Sequence, residues 1–284
     1  MIAHGVEHGV FEWGRELRGL EPTIVLLHAT GFHARVWDQT VALLGARHIV
    51  AIDQRGHGRS ENTPFDTWLD FGRDLISILE QLEVSGAIGV GHSMGGHATV
   101  LAAAEAPQLF SRLVLFDPVI MPPAFYEGTI PSPGGRGEED HPTAKRRSRF
   151  ENPEAMIERF AQREPFSLFT PEALADYCVY GLLPATDGDG FELACPPAFE
   201  ASVYMSARNN PGVYDSVRKV EVPVRVIRAQ EPPEAKSVAN FAYSPTWPAL
   251  ADEFPNATDR YCPDHTHFFP MQDPELTARM ILAD

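Results

Sequence analysis

Ile88-Gly89-Val90-Gly91-His92-Ser93-Met94-Gly95-Gly96-His97 is the stretch that decides the fold of this chain. It begins with apolar residues, as a buried strand does, and leads into a run of small residues typical of a helix. Ser93 stands between the two with a glycine two positions away on each side, which is the G-x-S-x-G pattern of a strained strand-to-helix turn. The pattern predicts that Ser93 is a nucleophile. It also predicts that the N–H of Met94, at the start of the helix, faces an oxyanion formed beside Ser93.

Apolar runs of strand length alternate with helical patterns on both sides of this stretch. The predicted strands occupy residues 22–27, 48–53, 112–117 and 220–228, and the predicted helices residues 36–44 and 66–82. This alternation predicts an α/β fold with a mostly parallel, doubly wound sheet and helices on both faces. Polar residues follow the strand ends, where such sheets bind ligands, at His28, Asp53, Ser93 and Asp117.

The pattern of alternating strands and helices stops after residue 118. Residues 118–143 are rich in Pro and Gly and predict a long loop. Short helical patterns follow at residues 144–150, 153–163, 171–182 and 197–208. We therefore expect a helical cap, inserted at 119–215, between two parts of one core, 1–118 and 216–284. Residues 5–20 predict an edge hairpin, and a closing helix begins near residue 274.

The charge, the apolar runs and the cysteines of the chain exclude several classes of protein. The formal net charge of −16 argues against nucleic acid or an anionic membrane surface as a partner. No apolar run approaches the ~20 residues that a membrane span needs, and the N-terminus has no signal-peptide pattern. The three cysteines have no C-x-x-C spacing, which favours a reducing compartment and no metal site. We expect a cytoplasmic protein, a monomer or homodimer, that acts on a small molecule.

Four motifs together give the chain a resemblance to the α/β-hydrolase family, in particular to serine esterases and lipases with a helical cap. They are His28-Ala29-Thr30-Gly31-Phe32 after a strand, Asp53-Gln54-Arg55-Gly56-His57-Gly58-Arg59-Ser60, the turn at Gly91-His92-Ser93-Met94-Gly95, and His267-Phe268-Phe269-Pro270-Met271-Gln272-Asp273-Pro274-Glu275. They stand in the order found in that family. The resemblance spans nearly the whole chain and implies the α/β-hydrolase fold.

The resemblance implies a Ser-His-acid triad in which His267 is the general base for Ser93. His265, two residues away, is the alternative base. The acid has two candidates. Most members place it after the strand predicted at 220–228, where Glu231 stands among prolines, and some place it where Asp117 stands. We favour Asp117, since a carboxylate that ends an apolar strand needs a partner such as a histidinium.

The remaining site residues are predicted from their neighbourhood. The backbone N–H groups of Thr30 and Met94 are the candidate oxyanion hole. Candidate walls of a substrate pocket are Phe32, His92, Trp37 and Phe125, although core packing explains each aromatic ring equally well. His28 begins the loop after the strand at 22–27, and we expect it to hydrogen-bond the backbone there, whereas the turn that contains His57 is expected to be structural.

The resulting prediction is a serine hydrolase that cleaves carboxylic esters through an acyl-Ser93 intermediate, without a cofactor or a metal. A serine suits acyl transfer, whereas the aspartate of related haloalkane dehalogenases and epoxide hydrolases forms an alkyl ester. The same triad would also serve a lactonase, a thioesterase, a carbon–carbon bond hydrolase or a perhydrolase. The alternative from another class is a catalytically dead binding protein that keeps the fold.

Overall fold

A seven-stranded sheet lies at the centre of the computed structural model, which describes residues 1–129, 141–232 and 242–283. The strands, in chain order, are β1 (Ile2–Ala3), β2 (Val6–Glu7), β3 (Val10–Trp13), β4 (Ile24–Leu27), β5 (Ile49–Ile52), β6 (Ala87–His92), β7 (Phe110–Phe116), β8 (Arg149–Phe150), β9 (Leu182–Pro184), β10 (Phe191–Leu193), β11 (Val224–Arg228) and β12 (Ala257–Tyr261). The central sheet has the order β12-β11-β7-β6-β4-β5-β3. All its neighbours are parallel except β3, which pairs antiparallel with β5 at one edge.

Helices cover both faces of this sheet. They are α1 (Asp38–Leu43), α2 (Leu69–Gln81), α3 (Met94–Glu105), α4 (Pro123–Tyr126), α5 (Pro153–Phe160), α6 (Pro171–Tyr180), α7 (Pro197–Ser206), α8 (Val213–Val217), α9 (Phe269–Gln272) and α10 (Pro274–Leu282). On one face, α2 and α8 flank α3 and bury residues such as Leu75 and Val217. On the other face, α1 packs against α10 and buries Val41 and Ile281. The α/β-hydrolase fold predicted from the sequence is confirmed.

Between β7 and β11 the chain leaves the central sheet. The described residues of this segment contain α4 to α8 and a small antiparallel sheet of order β8-β10-β9. Asn152 and Thr170 cap α5 and α6 through their side chains, and each helix has a proline at its first turn. The predicted helix at 144–150 is wrong, because that stretch forms a 3₁₀ turn at Pro142–Lys145 followed by β8. Part of the predicted loop, residues 130–140, lies outside the described ranges.

The two ends of the chain differ from the predictions in detail. β1 and β2 form a hairpin of their own, and β3 is the edge strand of the main sheet. β12 was not predicted, because its residues from Thr258 to Tyr261 are exposed and carry no apolar alternation. Among the helices that the structure describes, none combines the length and the apolar character needed to cross a membrane.

Candidate active site

Ser93 lies in a sharp turn between β6 and α3. Its φ of 57° and ψ of −118° place it in a region that residues other than glycine rarely adopt. The flanking glycines are required by close approach, because a Cβ at Gly91 would overlap the backbone of Gly95, and one at Gly95 would overlap the carbonyl of Leu27. The turn thus holds the Ser93 hydroxyl beyond the carboxyl end of β6 and directly before the N-terminus of α3.

His267 lies against Ser93, in the loop that precedes α9. Its Nε2 atom is 3.0 Å from the Ser93 Oγ. The ring nitrogen Nε2 of His92 donates a hydrogen bond of 2.7 Å to the backbone carbonyl of His267 and so helps to hold this loop. Both Ser93 and His267 are almost fully buried, with 4% and 6% of their surface exposed.

Asp117 directly follows β7, the strand next to β6. Its Oδ2 atom lies 2.6 Å from Nδ1 of His267. An ionised carboxylate only accepts hydrogen bonds, so the proton of a neutral His267 lies on Nδ1 and its Nε2 accepts from the Ser93 hydroxyl. The backbone of Asp117 has a φ of 46°, again in the left-handed region that residues other than glycine rarely adopt.

The other candidates for base and acid lie elsewhere. Glu231 accepts a hydrogen bond of 2.7 Å from Arg228, and nearly half of its side chain is exposed. His265 lies 3.4 Å from Asp273. The ring of His28 donates to the carbonyl of Ala29, as expected, and the ring of His57 donates to the carbonyl of Arg55.

The loop after β4 brings backbone N–H groups to the same edge of the sheet. The N–H of Phe32 donates to the carbonyl of Ala29, and the backbone of Gly31 hydrogen-bonds the Cys195 thiol. Within the described ranges, the N–H groups of Thr30 and Met94 have no acceptor. For Met94 this follows from its place in the first turn of α3, where no preceding carbonyl is available. Two buried donors are therefore free at the predicted oxyanion hole.

An aromatic cluster lies beside His267. The ring of Phe32 lies 6.4 Å from that of His92, 5.8 Å from that of Phe268 and 4.9 Å from that of Tyr177 on α6. Phe169 joins the same cluster. Of the predicted pocket residues, Phe32 and His92 thus lie next to the base. Tyr177 and Phe169 were missed, because nothing in the sequence relates the inserted segment to the loop after β4.

Trp37 and Phe125 lie apart from this cluster. Trp37 is fully buried and packs against Phe116 in the hydrophobic core, so its prediction as a pocket wall is not supported and core packing explains it. Phe125 contacts Tyr126 and the guanidinium of Arg208 on the segment that follows β7. Neither ring is among the described aromatic contacts of His92 or His267.

A buried ion pair lies over the loop after β4 and was not foreseen. The guanidinium of Arg146 donates to Glu200 on α7 at 2.6 Å and to the hydroxyl of Tyr177 at 3.1 Å. Burial opposes the charge on Arg146, but Tyr177 and Glu200 outweigh it and raise the pKa of the guanidinium. The Glu200 carboxylate lies directly on Gly31, where a Cβ would overlap its Oε1. This pair therefore links the inserted segment to the loop that carries Thr30.

Burial keeps the other histidines of this edge neutral. It lowers the pKa of His92 well below its ordinary value, and the nearby His267 adds to this effect. Burial likewise lowers the pKa of His33 and His57 to about 4. No set of three or more potential ligand side chains in the described part of the chain has a geometry that holds a metal ion.

The arrangement supplies the parts that acyl transfer needs. A hydroxyl is aligned with an imidazole and the imidazole with a carboxylate, and the N–H of Met94, the residue after Ser93, has no acceptor within the described ranges. A carbonyl carbon brought to Ser93 Oγ would find a nucleophile, a base and oxyanion donors within one site.

Comparison with known proteins identifies related sequences. The model of the Alpha/beta hydrolase family matches residues 24–280. The sn-1-specific diacylglycerol lipase ABHD11 of Xenopus laevis is 34% identical over 102 residues, which are 34% of this chain and 32% of that protein. A probable esterase of Oryza sativa subsp. japonica is 35% identical over 117 residues, which are 38% of this chain and 43% of that protein. Each alignment thus spans less than half of the relative.

Solved structures resemble the chain over nearly its full length. E-2-(acetamidomethylene)succinate hydrolase has a TM-score of 0.69 at 23% identity, over 92% of this chain and 90% of that one. The thioesterase domain from the curacin biosynthetic pathway has a TM-score of 0.75 at 16% identity, over 100% of this chain and 98% of that one. At these identities the similarity establishes the shared fold.

Proposed function

The chain belongs to the alpha/beta hydrolase family, and from this premise we propose that it is a serine hydrolase that cleaves carboxylic esters. Ser93 is the nucleophile, His267 the general base and Asp117 the acid that orients the base. The observation that carries the proposal is the continuous hydrogen-bonded chain from Asp117 Oδ2 through the His267 ring to Ser93 Oγ.

In the first half of the reaction, Ser93 Oγ attacks the ester carbonyl carbon while its proton passes to Nε2 of His267. The carbonyl oxygen becomes an oxyanion and accepts hydrogen bonds from the N–H groups of Thr30 and Met94. Asp117 stabilises the imidazolium through Nδ1. When the C–O bond of the ester breaks, the imidazolium protonates the leaving alcohol, and the acyl group remains on Ser93.

In the second half, a water molecule replaces the alcohol. His267 takes a proton from this water, whose oxygen attacks the acyl carbon and forms a second oxyanion in the same two-donor site. Collapse of this intermediate breaks the bond to Ser93, and the serine oxygen recovers its proton from His267. The carboxylic acid leaves and the site returns to its starting state.

The surroundings of the site favour an ester with an apolar acyl or alcohol group. Phe32 and Phe268 present aromatic surface beside His267, and apolar surface of this kind binds hydrocarbon groups. We propose that residues 119–215 form the lid that selects this group. The described residues between β7 and β11 contribute no strand to the central sheet, and Tyr177 and Glu200 from this segment lie over the loop that carries Thr30.

We also propose that the protein works in the reducing cytoplasm. All three cysteines are free and buried. Burial raises the pKa of the Cys178 thiol to about 12, which keeps that thiol protonated and unreactive. Free, unreactive cysteines are typical of proteins from a reducing compartment.

The experiment that tests the function is a panel of p-nitrophenyl esters from acetate to palmitate, with aryl thioesters and lactones alongside. We expect turnover of the esters by the wild type and by Ser111→Ala, which removes a hydroxyl at the far end of β7. Ser93→Ala should reduce turnover to background without a change in circular dichroism. Hydrolysis of only the thioesters or only the lactones would replace the ester assignment, and turnover by Ser93→Ala would exclude the nucleophile.

A further inference from the structure

We propose that Ser244 and Thr246 are positioning residues that hold the Asp117 carboxylate in the orientation that His267 requires. This inference rests on the proposed function, because it concerns the acid of the proposed triad. Both residues lie in the loop after β11. That loop is where the acid itself stands in most members of the family, so it here supplies hydrogen-bond donors in place of a carboxylate.

The two oxygens of Asp117 have separate partners. Oδ2 faces Nδ1 of His267 at 2.6 Å. Oδ1 receives the hydroxyl of Ser244, the hydroxyl of Thr246 at 3.0 Å and the backbone N–H of Ala229 at 3.2 Å. Because every donor on Oδ1 comes from the loop after β11, rotation of the carboxylate would break these bonds together.

The hydroxyl protons of the two residues are directed by their other contacts. Ser244 Oγ accepts the backbone N–H of Thr246 at 3.2 Å, so its own proton is free to point at Asp117 Oδ1. Thr246 Oγ1 also lies 2.7 Å from the carbonyl of Pro118, and its single proton is shared between that carbonyl and Asp117. Ser244 is thus the stronger donor to the carboxylate.

The same loop also holds the histidine. The N–H of Gln230 donates to the carbonyl of His265 at 2.9 Å, and the N–H of His267 donates to the carbonyl of Ala242 at 3.3 Å. The carbonyl of Gln230 in turn accepts the N–H of Ser244 at 2.8 Å. The loop therefore fixes the acid and the base relative to each other.

The hydroxyl dipoles also affect the charge that His267 experiences. Each hydroxyl directs its positive end at the Asp117 carboxylate and offsets part of its negative charge. The other titratable groups that face this pair are His92, whose ring lies 5.0 Å from that of His267, and the Cys262 thiol, which interacts electrostatically with Asp117. Removing a hydroxyl leaves these two groups in place and makes the carboxylate a stronger partner for an imidazolium.

The test follows the second-order rate of Ser93 labelling by a fluorophosphonate between pH 5.5 and 9, since this rate needs the triad but no physiological substrate. The variants are Ser244→Ala and Thr246→Val, which lack the hydroxyl. The matched controls are Thr246→Ser, which keeps the hydroxyl, and Ser111→Ala on β7. Thermal unfolding of each protein is recorded alongside.

We expect Ser244→Ala to label about tenfold more slowly near neutral pH, the size of one hydrogen bond to a charged group, and Thr246→Val to label more slowly by a smaller factor, because its proton is shared with Pro118. The acidic limb of their pH profile moves upwards by about half a unit, while both controls match the wild type. Labelling rates and an acidic limb that both equal those of the wild type would overturn the inference. So would slower labelling that accompanies a lower Tm while the acidic limb stays in place. If the wild type is labelled but hydrolyses no ester, the proposed function is wrong and the inference about Ser244 and Thr246 still stands. If the wild type is not labelled, both the proposed function and this inference are wrong.

Discussion

Nδ1 of His267 lies 2.6 Å from Oδ2 of Asp117, a residue 150 positions earlier in the chain. Asp117→Asn tests this relationship sharply. The donors on Oδ1 require an oxygen there, so the new amide nitrogen takes the place of Oδ2 and donates to Nδ1. The proton of the imidazole then moves to Nε2, which can no longer accept from Ser93. We expect kcat on p-nitrophenyl esters to fall by about 10⁴.

Glu231→Gln is the matched control for that change. The Glu231 side chain is nearly half exposed, and its partner Arg228 keeps a second ion pair with Asp259, so the loss of the Glu231 charge costs little. We expect a kcat within about twofold of the wild type, measured in the same assay. A large loss in Glu231→Gln together with an active Asp117→Asn would transfer the role of acid to Glu231.

The contact between Gly31 and Glu200 predicts that Gly31, next to the proposed oxyanion hole, tolerates substitution poorly. Gly31 has a φ of +79°, and a Cβ there would overlap the Glu200 carboxylate. Gly45 has a nearly equal φ of +75° with no atom within 4 Å of its Cβ position, so it isolates the cost of backbone strain. We expect Gly45→Ala to lose about 1 kcal/mol of stability and to keep full activity.

Gly31→Ala combines the same strain with displacement of either the loop or Glu200. We expect an additional loss of about 1–3 kcal/mol in urea unfolding and at least a tenfold lower kcat, since the loop carries the N–H of Thr30. Equal stability and equal activity of the two alanine variants would show that the contact has no effect on the loop.

The buried pair of Arg146 and Glu200 predicts strong coupling between two side chains far apart in sequence. Removal of one partner leaves the other charge buried, so Arg146→Met and Glu200→Gln should each lose about 3–5 kcal/mol in urea unfolding. The double variant should lose less than the sum, with a coupling energy of about 1–3 kcal/mol.

The exposed pair of Arg279 and Glu275 on α10 provides the comparison, with a separation of 3.9 Å. The same pair of substitutions there, Arg279→Met and Glu275→Gln, should give a coupling energy below about 0.5 kcal/mol. If both cycles give the same small value, the pair over the loop after β4 is not electrostatically coupled.

The buried histidines predict a loss of stability in mild acid. Burial lowers the pKa of His33, His57 and His97 to about 4, whereas these residues have ordinary values near 6.5 when unfolded. Between pH 6.5 and 4 the unfolded chain therefore binds more protons, and each histidine removes about 1.4 kcal/mol per pH unit as the pH falls. Burial raises the pKa of Asp53 to about 6 and also raises the pKa values of Asp176 and Glu200, and these three carboxyl groups oppose the trend.

Urea unfolding at pH 7 and pH 5 measures the balance. We expect a clearly lower midpoint at pH 5, because burial also lowers the pKa of His28 and His92, and these histidines together outweigh the three carboxyl groups. An equal midpoint at the two pH values would mean that these histidines are accessible to protons in the native state. Their ring proton resonances, followed by NMR, should accordingly not titrate above pH 5.

The central sheet and the turn at Ser93 could be predicted from the sequence because each rests on a local pattern. β4 and β5 are continuous apolar runs, β6 and β7 each contain a shorter one, and Ser93 is identified by two glycines that have no room for a Cβ. The family resemblance added His267 to the predicted site, because the histidine of the family's C-terminal motif stands at that position. The structure then brings these distant residues to one edge of the sheet.

Features that depend on contacts between distant segments could not be predicted in this way. β12 is exposed and has no apolar pattern, so only its pairing with β11 defines it. The small sheet of β8, β9 and β10 is held by pairing between short strands with few residues each. Asp117 and Glu231 remained alternatives because the direction of each carboxylate depends on its partners, and those lie elsewhere in the chain.

The position of Asp117 on the strand beside β6 has a consequence for biosynthesis. The proposed nucleophile and acid belong to one continuous strand-helix-strand unit, β6-α3-β7, which leaves the ribosome early. The proposed base follows 174 positions after the serine. A nascent chain therefore contains the proposed nucleophile and the proposed acid well before it contains the base that would take the proton from the hydroxyl. Reactivity would appear only once the segment carrying His267 has been made and has docked against them.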